Sequence, residues 1–99
     1  MIKLVVAYEP PVDPAAFDAY YASTHKPLAE KIPELKRFEA GKVLGTADGA
    51  PAPYYLIAEL LFEDSYALER AMQSPEGQAA SNDLMNFATG GADLWFVAA

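Results

Sequence analysis

The sequence contains no cysteine, which excludes disulfides, thiolate-bound zinc and thiol nucleophiles together. Such a composition is expected of a chain working in a reducing, cytoplasmic setting. Positive charge is scarce as well. Seven Lys and Arg stand against 14 Asp and Glu, a formal net charge of −7, and they gather into no basic cluster. Nucleic acid and anionic membranes need such a cluster, so neither is an expected partner. No apolar run approaches the roughly 18 residues of a membrane span. The opening MIKLVVAY reads as a strand and not as a secretory leader, having no charged leading region and no small-residue cleavage site. GxSxG, GxGxxG and P-loop patterns are absent, which removes the usual serine-hydrolase and nucleotide-binding readings. Histidine occurs once, as His25. One imidazole without a thiolate makes a selective transition-metal site unexpected, and no cofactor is called for.

What the chain has in surplus is apolar surface. It is 53% hydrophobic over 99 residues, above the usual range of about 45–50%. That length suits one domain, residues 1–99, with only a modest core of its own. Self-association is the natural destination for the remainder.

Strand signals fall at 2–8, about 35–44, 54–63 and on ADLWFVA near the end. Asp13 with Pro14 predicts the start of a helix running from about 14 to the low thirties. Asp64 caps a second helix, and Ser74 with Pro75 restarts it. The order β-α-β-β-α-β is that of a ferredoxin-like α+β fold with a four-stranded antiparallel sheet. Such a sheet, with helices on one face, should alternate apolar and polar residues. Here it does not. Leu56, Ala58, Leu60 and Phe62 oppose Tyr55, Ile57 and Leu61, and Leu94 and Phe96 oppose Trp95 and Val97. Both faces want burial, so a homodimer with two sheets packed face to face, closing into an α/β barrel, is expected.

His25 is the leading candidate for chemistry, because imidazole titrates near neutrality. It lies on an apolar stripe Phe17, Tyr21, His25, Leu28, Ile32. A packed, hydrogen-bonded core histidine is the plainer alternative. Pro27 cannot donate to the carbonyl of Ser23; it either kinks the helix beside a cavity mouth or ends it early. Glu59 interrupts an apolar strand, and a buried carboxylate needs a partner. His25, Lys3 and Arg37 are the candidates, unless Glu59 is an exposed rim residue. Asp93 raises the same question more weakly. For a ligand, Tyr8 and Tyr21 offer hydroxyls, while Phe38, Phe62, Met85 and Trp95 offer apolar walls.

The opening MIKLVVAY, the segment FDAYYASTHKPLAEKIPELKRFE, the strand IAELLFED and the run SPEGQAASNDLMNFATGG together resemble the EthD family, named for ethyl tert-butyl ether degradation. The resemblance covers nearly the whole chain. It implies a dimeric α/β barrel and relatives among cofactor-independent isomerases, cyclases, dehydratases and decarboxylases. It also implies that His25 matches the family histidine proposed for acid–base work. Methylmuconolactone isomerases of this group carry a tyrosine where this chain has Phe38, and their second histidine and cysteine have no counterpart here. That particular isomerisation does not carry over. The expectation is therefore a cofactor-independent acid–base enzyme on a small apolar or aromatic metabolite, with His25 moving the proton and Glu59 orienting it. The alternative is a non-catalytic protein that binds a hydrophobic ligand for a degradative or oxygenase pathway. A haem protein with His25 as axial ligand is a third reading.

Overall fold

A computed structural model describes residues 1–99. Ile2–Tyr8 forms β1, an inner strand of a four-stranded sheet ordered β2-β3-β1-β4. Its neighbours are β3 (Leu56–Phe62) and β4 (Ala92–Ala98), and β2 (Arg37–Lys42) closes the far edge. Every pairing is antiparallel. The register sets Val6 between Ala58 and Leu94, and Leu4 between Leu60 and Phe96. Even-numbered residues of β1 and β3 therefore share one face, and the helices cover it. β3 accordingly alternates between buried and half-buried along its whole length. This is the ferredoxin-like α+β fold that the segment order implies.

Each of three helices begins where a short polar side chain replaces a missing backbone partner. Asp13 accepts from the Ala16 N–H ahead of α1 (Pro14–Tyr20). Asp64 does the same for α3 (Ser65–Gln73) and Ser74 for α4 (Pro75–Phe87). Pro14 and Pro75 occupy first-turn positions, where no N–H is needed. Gly77 lets α4 dock on the end of α3: a Cβ there would lie 2.0 Å from the Ala71 carbonyl oxygen.

The long first helix is not uniform. Between α1 and α2 (Lys26–Glu30) residues Tyr21–His25 make one π-helical turn, closed by the Lys26 N–H donating to the Tyr21 carbonyl five residues back. Pro27 has no N–H to give the Ser23 carbonyl, and the wider turn absorbs that loss. The helix thus does not stop at Pro27 but runs on to Glu30. The extra residue also rotates the remainder of the helix, so that Phe17, Tyr21, His25, Ala29 and Ile32 are buried. The expected stripe residue Leu28 is only half-buried, and Ala29 takes its place. Glu34, just beyond, has a φ of 64°, a left-handed conformation that a non-glycine residue adopts only when held. Arg70 holds its carboxylate through two hydrogen bonds of 2.8 and 2.6 Å.

The second face of the sheet has no helix over it. Ile57, Glu59 and Leu61 are half-buried there, and Trp95 and Val97 are exposed at 45% and 39%. No helix is long and apolar enough to cross a membrane.

Candidate functional site

The π turn aims His25 between the helices and the sheet, where it is 5% exposed. Its Nδ1 lies 2.9 Å from Oδ2 of Asp83, on α4. A carboxylate only accepts, so Nδ1 carries the proton and Nε2 presents its lone pair. That nitrogen faces the Tyr8 hydroxyl at 3.4 Å, a long hydrogen bond. Asp83 is itself buried, and its other oxygen accepts from Tyr20 O–H at 2.6 Å and from the Asn86 amide at 3.0 Å. Four elements thus meet in one connected polar chain, Tyr8–His25–Asp83–Tyr20. Phe87 backs it, with its ring 4.5 Å from the imidazole.

Burial works against charge on the imidazole and lowers the His25 pKa, although the Asp83 hydrogen bond and charge oppose the shift. Burial also works against the Asp83 carboxylate. The hydrogen bonds from Tyr20, Asn86 and His25 together more than offset it, so its pKa falls below the ordinary value. Burial pushes the Tyr8 hydroxyl well up, with help from Tyr21 and Asp83. Burial and the charge of Glu30 do the same for Tyr21. At neutral pH the site therefore holds a neutral base, an anion behind it and two intact phenol donors.

Tyr8, Tyr21 and His25 border a cavity of about 40 Å³, lined with them by Phe38, Ser81 and ten further residues. Thirteen of the fifteen are apolar, so the few polar groups decide what can bind. The Tyr21 hydroxyl is fully enclosed and has no hydrogen-bond partner. A volume of this size holds a few waters, whereas an engineered cavity that takes benzene is about 150 Å³. Any ring-sized ligand must displace the half-buried Phe38, Met72 and Leu84, or the 48%-exposed Leu94, at the margin.

Of the residues singled out in the sequence, His25, Tyr8, Tyr21 and Phe38 converge here. The others do not. Glu59 has odd-numbered strand parity and so lies on the uncovered sheet face, where Lys3 pairs with it at 3.3 Å. Asp83, not Glu59, is the carboxylate that orients the imidazole. Phe62 is 0% exposed within the core but does not border the cavity, whose β3 wall is Ala58 and Leu60. Met85 is 85% exposed on the outer side of α4. Trp95 is on the uncovered face against Tyr54, edge to face at 5.8 Å. Asp93 accepts from the Tyr54 hydroxyl at 3.0 Å. In the sequence Asp83 hides within SNDLMN, which reads as a solvent-facing stretch. Its signal is its place in the buried series Gly77, Ala80, Asp83, Phe87, with spacings of three, three and four. No three His, Asp or Glu side chains converge in a way that would hold a metal ion. Haem fits poorly, because both nitrogens of His25 are engaged and the cavity is far smaller than a tetrapyrrole.

A model of the EthD domain matches residues 9–91. An uncharacterised 11.0 kDa protein of the thcB–thcC intergenic region of Rhodococcus erythropolis is 46% identical over 96 residues, covering 97% of this chain and 92% of the relative. The crystal structure of an EthD-family protein from Bacillus halodurans superposes with a TM-score of 0.94 at 36% identity, over 100% of this chain and 98% of that one. A cofactor-independent oxygenase from Streptomyces nogalater, SnoaB, shares the fold at 20% identity, with a TM-score of 0.65 over 99% and 91% of the two chains. Further solved neighbours, 14–20% identical, are dimeric ferredoxin-like proteins.

Proposed function

The chain belongs to the EthD family, and on that premise we propose that it is a cofactor-independent acid–base enzyme acting on a small apolar carbonyl compound. One observation carries the reading: a neutral imidazole that lines an apolar cavity, its Nδ1–H fixed by a buried carboxylate and its Nε2 turned to the Tyr8 hydroxyl. Nε2 takes a proton from the carbon beside the carbonyl. The electron pair moves onto oxygen, where the Tyr8 hydroxyl donates once a ligand displaces its long bond to His25. The imidazolium is then stabilised by Asp83, and returning the proton elsewhere on the enolate completes an isomerisation without any added oxidant or reductant. The S. nogalater oxygenase supports the absence of a cofactor by sharing this architecture. The working unit is proposed to be a homodimer joined through the uncovered sheet faces, as the apolar content of both faces and the dimeric neighbours suggest.

Hydrogen–deuterium exchange beside the carbonyl tests the reading whatever the product is. Small ketones and lactones in D2O, followed by NMR, should exchange faster with the protein than without it. His25→Ala should lose about 10²–10⁴-fold of that rate, the usual span of general acid–base catalysis. Asp83→Asn should move the acid limb of the pH profile downward, since the carboxylate holds the imidazole pKa up. Glu59→Gln should stay close to wild type. Ligands that bind but never exchange would favour the non-catalytic binding protein instead, and equal rates for His25→Ala would end the enzymatic reading.

A further inference from the structure

The charge of the cavity says more about its occupant than its shape does. None of the fifteen lining residues is Lys or Arg. The single titratable base there, His25, is held neutral by burial. The full charges within reach are negative, Asp83 behind the imidazole and Glu30 near Tyr21. The whole chain adds a net charge of −7, so the long-range field also repels anions. Against this stands one unused group, the enclosed Tyr21 hydroxyl. Buried donors are nearly always paired; Tyr21 lines the cavity with its hydroxyl closed off and unpaired, so an acceptor that parts the marginal side chains relieves a stability penalty. Glu30, whose charge reaches Tyr21, further discourages ionisation of that phenol and keeps it a donor.

We infer that the cavity selects a neutral molecule carrying a hydrogen-bond-accepting oxygen for Tyr21, and turns away carboxylates of the same shape. This inference rests on the proposed function and narrows its substrate to neutral ketones, aldehydes, esters or lactones. Tyr21 acts as the specificity determinant. It holds the oxygen together with Tyr8, whose hydroxyl stands next to the imidazole. An anion entering the same space would lose its water and gain no countercharge, a penalty far beyond what one phenol returns.

The test uses cyclopentanone and cyclopentanecarboxylate as a matched pair at pH 7.5. The ring NMR signals of the chain's single histidine report binding. The ketone should shift them, and the carboxylate should bind at least about a hundredfold more weakly. Tyr21→Phe should weaken the ketone about tenfold, while its thermal stability stays equal or rises, because an unpaired buried hydroxyl has gone. A purely structural Tyr21 would show no change in ketone affinity, and that result would remove its assigned role. A carboxylate that binds as well as the ketone would overturn the charge selection and leave the acid–base reading standing. If neither compound moves His25, both fall together.

Discussion

The two faces of the sheet are both rich in apolar residues and treat polar ones in opposite ways. On the helix-covered face, polar side chains are few; Tyr8, His25, Asp83 and the half-buried Tyr20 join into one chain, and only the Tyr21 hydroxyl is left unpaired. On the uncovered face, Lys3 and Glu59 make a pair whose side chains remain 29% and 39% exposed, a setting in which ion pairs add little. Burial makes the first arrangement directional, because each group has little room to choose another partner. Water leaves the second adaptable, which suits a surface that meets another chain.

The comparison can be broken most forcefully from the covered side. Phe62→Ala should lower unfolding free energy by about 3–5 kcal/mol in urea titrations, as expected for a fully buried phenylalanine. A loss below ~1 kcal/mol would mean that this face is not the main core. The next effect belongs to the uncovered side. Trp95→Lys should shift the proposed dimer toward monomer in sedimentation at micromolar concentration, since aromatic residues buried in an interface commonly carry about 2 kcal/mol or more. An unchanged dimer would place the interface elsewhere.

The smallest effect is a pH dependence that sharpens the contrast. Burial sets the folded pKa of His25 below its ordinary 6.5, so the unfolded chain binds the proton more readily. The resulting stability is fully present above about 6.5 and is lost as pH falls from there through the lower folded pKa. Asp83, also lowered, acts in a more acidic window below its ordinary 3.8. Stability measured between pH 7 and 5 should therefore decline in the wild type and flatten in His25→Gln. An equal slope in both would assign the decline to other groups.

Much of this is legible in the sequence. Asp13, Asp64 and Ser74 cap helices at the positions their side chains predict. The lack of alternation in the strands announces a sheet with two apolar faces. The position of His25 on an inward stripe is also readable. Its partner is easily misread, because a carboxylate in an apolar strand is a louder signal than one in a polar helical stretch. Strand parity speaks against Glu59, since Leu56, Ala58, Leu60 and Phe62 form the larger apolar set and claim the helices. The π turn has only Pro27 as its signal, and one missing N–H does not reveal how a helix will absorb the loss.

That turn places a constraint on length that differs from any constraint on residue identity. Ala22 and Ser23 face solvent, so their side chains are open to replacement. Inserting one residue between Tyr21 and His25, where the wider turn already holds one more than an α-helical turn, swings everything beyond by about 100°. Either the imidazole leaves Asp83 or Ala29 and Ile32 leave the core. The segment works like the spacing between gear teeth: what it is made of can change, but how many there are cannot.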